Sequence, residues 1–234
     1  MTARRLSVVS SKGGAGKTTV AILLAGEYAL RGNSVLLIDS DNRQNLSEWW
    51  KLSQDKDNVP ANIDLVAAST QRGVEQALAK AEHDIVIMDS PGVDSVIANT
   101  IIGNSDIVLS PVQANQDEIR SVGQAAENTA DIAEDQGRAI PHGVVVTRIA
   151  LTARSLEAYR FIRPFVAALR EAGYPSTLLA TELTERNCYR EIRNGYGTLQ
   201  MLDLTELVKK GRIEVSALLD EVEGLLRGNQ GATA

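Results

Sequence analysis

Read only for apolar and polar positions, the first two thirds of the chain is a succession of short apolar runs separated by stretches of helical period. "LSVVS" (6–10), "SVLLIDS" (34–40), "IDLVAA" (63–68), "DIVIMDS" (84–90), "DIVLSPV" (106–112) and "GVVVTRI" (143–149) are close to continuously apolar. Strict alternation would mark a sheet with one wet face; these runs predict strands covered on both faces, as in parallel sheets. Helices are predicted over 17–31, 45–53, 71–82, 94–103 and 115–137. In the second of these, "NLSE" (45–48) has the form of a capping box, with Asn45 as the cap and Glu48 reaching back. Strand then helix, repeated, requires right-handed crossovers. The expected fold class is therefore α/β, a mostly parallel central sheet with helices on both faces.

After residue 150 the pattern loosens. A helix over about 155–172 contains Pro164, which is expected to kink or split it. "STLLAT" (176–181) reads as a late strand and "RNCYREIRNG" (186–195) as a short helix ending at Gly195. A last helix, 213–226, sets Val215, Leu218, Leu219, Val222, Leu225 and Leu226 on one stripe, and residues 228–234 are expected to be a frayed tail. With no linker, repeat or low-complexity block, residues 1–234 are expected to form a single domain.

Composition narrows the classes. No apolar run reaches 18 residues, and the apolar stretch after Arg4 and Arg5 is too short for a signal peptide. Cys188 is the one cysteine, which excludes an internal disulfide or a thiolate cluster and fits a reducing cytoplasm. The net charge of −6 argues against wholesale coating of nucleic acid, but residues 148–212 hold eleven Lys and Arg against seven Asp and Glu. That segment carries +4 and the rest of the chain −10. Either one face has a different partner from the rest, or the imbalance reflects arginine-rich composition alone.

The candidate chemistry begins at "VVSSKGGAGKTTV" (8–20). A phosphate-binding loop reads G-x-x-x-x-G-K-[ST]; here Gly16, Lys17 and Thr18 supply its end, but Ser11 stands where the first glycine belongs and Lys12 follows it. Gly13, Gly14 and Gly16 allow backbone N–H groups to turn toward an anion at the start of a helix. Lys17 is placed to reach the β- and γ-phosphates, with the Thr18 hydroxyl on Mg²⁺. "VLLIDSD" and "IVIMDSPG" bring Asp39, Asp41 and Asp89 to the carboxyl ends of two strands, where open α/β sheets bind ligands. A carboxylate at the Asp89 position can hold Mg²⁺ through its water shell. One strand-end aspartate is more simply a helix cap; three beside a phosphate loop are not.

"KGGAGKTT" resembles the deviant Walker A motif of the ParA/MinD family of P-loop ATPases, with "DSDNRQN" similar to its D-x-D-P-Q-x-N segment and "DSPG" to its Walker B end. These elements cover residues 5–112; Asn42-Arg43 departs from the family's single proline. The resemblance implies a P-loop NTPase fold and slow hydrolysis of ATP with Mg²⁺, stimulated by DNA and a partner protein. It implies an ATP-dependent homodimer in which Lys12 acts on the nucleotide of the other subunit. By the same resemblance Asp41 positions the attacking water, while Thr18, Asp39 and Asp89 support Mg²⁺. Gly13, Gly14, Ala15, Gly16, Lys17, Thr18 and Thr19 hold the phosphates, and Pro111 in "SPVQANQDE" (110–118) matches a nucleotide-base contact.

Within that resemblance, several branches are disfavoured. The polar face of the last helix carries Asp220, Glu221 and Glu223, unsuited to the anionic membranes that MinD-type helices bind, so no membrane partner is expected. Iron-protein relatives need two cluster cysteines per subunit, and tyrosine-kinase relatives a tyrosine cluster. A long N-terminal DNA-reading domain, as in larger partition ATPases, is not expected ahead of a loop at residue 12. Small ParA-type ATPases remain, cytoplasmic and nucleoid-associated, which partition plasmids with a centromere-binding ParB-type adaptor. Non-specific DNA contacts are then expected from Arg186, Arg190 and Arg193, at i, i+4 and i+7, and from Arg160, Arg163 and Arg170. The alternatives are a VirC-type ATPase that recruits transfer DNA to a conjugation machine, and a metabolic ligase such as dethiobiotin synthase, against which Lys12 argues.

Overall fold

In the computed structural model, residues 3–11, 14–93, 95–113, 116–149 and 156–232 are described. The first half alternates β1 (Arg4–Val8), α1 (Lys17–Leu30), β2 (Val35–Asp39), α2 (Asn45–Asp55), β3 (Ile63–Ala67), α3 (Gln71–Lys80), β4 (Ile85–Asp89), α4 (Val96–Gly103) and β5 (Ile107–Val112). The second half continues with α5 (Gln116–Asp135), β6 (His142–Ile149), α6 (Leu156–Glu171), β7 (Ser176–Leu178), β8 (Leu183–Thr184), α7 (Asn187–Arg193) and α8 (Glu206–Ala232). The sheet runs β3-β2-β4-β1-β5-β6-β7, with β8 also on β6, and every pairing is parallel.

Both faces of this sheet are buried along its central strands, which is why they read as unbroken apolar runs; the edge strand β3, expected to be covered as well, instead leaves Asp64, Val66 and Ala67 exposed. Leu6, Val8, Val35, Leu37, Ile85 and Ile87 point into one core beneath α1 and α8. Their alternates Leu36, Ile38, Val86 and Met88 point into another under α3 and α4. Val144 and Val146 meet Ile162, Val166 and Leu169 of α6 in a third. The stripe expected on the last helix is inward, with Val215, Leu218, Leu219 and Val222 fully buried.

Four expectations are corrected. Asn45 does not cap α2: the cap position is Gln44, in left-handed backbone at φ 50°, with no side-chain bond of its own. The Asp39 carboxylate performs that task from β2, accepting from the Ser47 N–H and hydroxyl at 2.7 Å each. Pro164 does not divide its helix. It sits on the exposed side of α6, where water can satisfy the Arg160 carbonyl that loses its partner, while the buried stripe holds the helix down. Finally, α8 starts seven residues earlier than expected and continues to Ala232, through most of the stretch read as tail, and β8 was not anticipated.

Candidate functional site: a phosphate loop at the carboxyl ends of three strands

Strand register builds the site. Val8 is level with Asp89 across β1 and β4, and Asp89 is level with Asp39 across β4 and β2, so the loop after β1 and both carboxylates emerge together. Lys12 and Gly13 lie outside the described residues. Gly14 and Gly16 have φ of 96° and 103°, a backbone that L side chains adopt only with strain. Gly16 is the N-cap of α1 and offers no side chain, leaving the first-turn N–H groups open to an anion.

The body of the fold ties back the loop's own acceptors. The Thr147 hydroxyl donates to the Ala15 carbonyl at 2.9 Å, and the Gln113 amide donates to that of Gly14 at 2.9 Å. At the loop's entry the Ser11 N–H donates to the Ser121 hydroxyl at 2.8 Å. With carbonyls engaged in this way, donors rather than acceptors are left to face an anion.

Lys17 is buried, its Nζ donating to the Ser10 carbonyl at 3.4 Å, and Thr18 donates its hydroxyl to Asp89 Oδ2 at 2.6 Å. Asp89 is fully buried and its Oδ1 has no partner among the described residues. Burial pushes this carboxyl up to about 7, with the Thr18 bond and Lys17 opposing and Asp39 and Asp41 adding to the rise. An orphaned oxygen beside a threonine hydroxyl fits a hard cation held through water. Among the described residues no group of three or more His, Cys, Asp or Glu could hold a metal unaided, so phosphate oxygens would complete such a site.

Asp39 is occupied as the α2 cap and also accepts from the Asp41 N–H at 3.2 Å. Asp41 is half-buried, with Oδ1 accepting from the Arg43 N–H at 3.0 Å. It lines a cavity of about 110 Å³ with Gly14, Lys17, Thr18 and Arg193. A second cavity of about 400 Å³ adjoins it, sharing Gly16, Thr19, Arg148 and Arg193 and extending over Tyr189, Arg190 and Asn194. Pro111 lines neither; it is buried inside β5 opposite Val145, because the strand runs one residue beyond it.

The six arginines divide. Arg160, Arg163 and Arg170 are exposed on α6. Arg186 precedes α7 with extended backbone, so helical spacing does not govern it; it is ion-paired with Glu214. Burial alone would raise the Glu214 carboxyl, but bonds from Arg186, Thr184 and Tyr189 outweigh it and hold the group below the usual range. Arg190 pairs with Glu185, and Arg193 turns toward the phosphate loop. The structure therefore does not gather Arg186, Arg190 and Arg193 into one outward stripe.

Sequence reasoning missed Thr147, Arg148, Gln113 and Ser121. A signal existed for two of them: "TR" closes an apolar strand, at the same carboxyl edge that made the aspartates candidates. Arg148 has φ 55° where β6 pairing shifts register, a strained position of the kind found at binding sites.

Comparison with known proteins places the chain in a family. A family model described as VirC1 protein matches residues 4–212. The chain is 31% identical to a Rhizobium radiobacter protein ParA over 83% of this chain and 84% of that one. It is 29% identical to a Rhizobium rhizogenes protein virC1 over 62% and 64%. Among solved structures, a Cyanothece McdA variant in complex with ATP superposes with TM-score 0.67 at 21% identity, over 93% of this chain and 96% of that one. A phosphate loop between β1 and α1, carboxylates in register beside it, and these likenesses lead to one statement: the chain belongs to the VirC1 family of ParA/MinD-type P-loop ATPases.

Proposed function

We propose that the protein is an ATP-driven switch that dimerises around two nucleotides, binds duplex DNA without sequence preference in that state, and resets by hydrolysis to partition DNA. The observation that carries the nucleotide part is the Thr18–Asp89 pair, with the Asp89 Oδ1 left unbonded beside a buried Lys17. Bound Mg²⁺ would neutralise phosphate charge. Thr18 and Asp89 support it, Asp39 fixes the strand end and α2, and Asp41 orients water toward the terminal phosphate. Lys12 is the cation contributed to the partner's nucleotide. The arginines exposed on α6, Arg160, Arg163 and Arg170, are the proposed DNA contacts, since Arg193 lines the cavity over the loop and Arg186 is largely buried. A ParB-type adaptor is the expected stimulator.

The test is retention on arbitrary duplex DNA with ATP, ADP and no nucleotide, over a salt series. Salt-sensitive retention with ATP alone is expected; equal retention in all three states overturns the switch. The VirC1 likeness favours a second reading, recruitment of transfer DNA to a conjugation machine. A sequence-specific footprint at a transfer border would select it over partition.

A further inference from the structure

We infer that Arg193 is a second cation of the phosphate site within the same subunit, held by the α7–α2 contact so that its guanidinium binds phosphate oxygens of the nucleotide. This rests on the nucleotide reading above and adds a residue that the loop motif does not contain.

The first observation is an unmet charge. Arg193 ends α7, is only partly exposed, and lines both the small cavity over the loop and the larger one beside it. A guanidinium has five N–H donors in a fixed fork. Among the described residues Arg193 makes one hydrogen bond, a 3.5 Å contact to the Asn45 carbonyl, and no ion pair. Arg186, by contrast, is held twice by Glu214. Asp89, Asp39 and Glu48 are the acidic groups that act on Arg193 from a distance, while Arg148 across the cavity repels it. A half-buried, under-bonded guanidinium facing a phosphate loop is completed by an anion with several acceptor oxygens.

The second observation is how firmly the backbone at the end of α7 is held. Gly195 and Gly197 follow α7 with φ of 83° and 69°. A Cβ on Gly195 would stand 2.5 to 2.7 Å from Leu52 atoms, backbone included, and one on Gly197 would stand 2.6 Å from the Asn58 carbonyl oxygen. The Trp49 indole donates to the Gly197 carbonyl at 3.2 Å, and Lys56 donates to that of Asn194 at 2.6 Å. These backbone contacts fix the end of α7 to α2, the helix that Asp39 caps and that follows Asp41. Arg193 is thus carried on a fixed stretch of backbone on the Asp41–Asn45 side of the loop, with little backbone freedom to lose on binding.

The test compares Arg193→Gln and Arg193→Lys with the wild type, using a fluorescent ATP analogue and Mg²⁺ in titrations, with thermal melts of the nucleotide-free proteins. Expected are at least tenfold weaker binding for Arg193→Gln, partial recovery for Arg193→Lys, and an apo melting temperature no lower than wild type, since the residue lacks a strong partner. Wild-type affinity in Arg193→Gln overturns the inference. A loss of affinity accompanied by an equal drop in apo stability also overturns it, in favour of a packing role. If the wild type itself fails to bind the analogue, the nucleotide reading fails instead.

Discussion

Lys17 and His142 show how differently two buried basic side chains are used. Lys17 rests on the Ser10 carbonyl at 3.4 Å, a weak bond for a buried ammonium, which suits the phosphate-binding role proposed for it. Lys17→Ala is expected to weaken ATP at least 100-fold in equilibrium titration while leaving the fold intact; affinity near wild type would reassign the loop. His142 is instead sealed between the hydroxyls of Ser110 and Ser176 at 2.8 Å each, fully buried, and burial alone pushes it down to about 4. Its folded value lies below the ordinary imidazole value of about 6.5, so protonation favours the unfolded chain. The stabilisation is complete above that value and is lost as pH falls through the window toward 4. Urea unfolding should lose up to about 1.4 kcal/mol per pH unit there, and His142→Gln should flatten that slope. Equal slopes between pH 6.5 and 5 would show that the imidazole titrates normally in the fold.

At the scale of elements, what the sequence disclosed is what neighbouring residues decide together. Apolar runs gave seven of the eight strands, all but β8, and turn glycines with G-K-T-T gave the loop and the start of α1. Missing were arrangements set by distant partners. Asn45 looked like a cap because the cap signal is local, yet Asp39 reaches α2 from the strand before it and displaces that role. The inward turn of Arg193 depends on the turn after α7 being fastened to α2, and the spacing of arginines along a seven-residue helix says nothing of that. Gly195 was read only as a helix stop, whereas it also packs directly on Leu52 of α2, where an added Cβ would overlap. Gly195→Ala combines left-handed strain with overlap on Leu52, for an expected cost of about 3 kcal/mol. It should also weaken nucleotide binding by loosening Arg193. Gly224→Ala on the exposed side of α8, where an added Cβ meets nothing, is the control and should gain up to about 1 kcal/mol. Equal stability of the two variants in denaturant titration would remove the clamp.

The whole molecule sets two electrostatic effects against each other, and salt can separate them. Each copy of the chain carries a net charge of −6, so two copies repel at long range and the proposed dimer would have to be driven by contacts at the nucleotides. Raising salt screens that repulsion within a Debye length of about 8 to 10 Å, so the ATP-bound dimer should hold or tighten. DNA binding should respond with the opposite sign, because arginine–phosphate contacts release counterions. With Arg160, Arg163 and Arg170 exposed on α6 of both subunits, the logarithm of the DNA association constant should fall with a slope of about −5 against the logarithm of salt. Arg160→Ala with Arg163→Ala should make that slope shallower by about 3 to 4 without altering the dimer. Lys12→Ala should abolish the ATP-dependent dimer, and with it DNA retention, at every salt concentration, although each monomer keeps its Lys17 and binds nucleotide. Analytical ultracentrifugation and filter retention in the same buffers would read both quantities. A dimer that dissolves with salt in parallel with DNA release would mean that the two events share one basic surface, and the division between a nucleotide-driven interface and an arginine-lined α6 would fall.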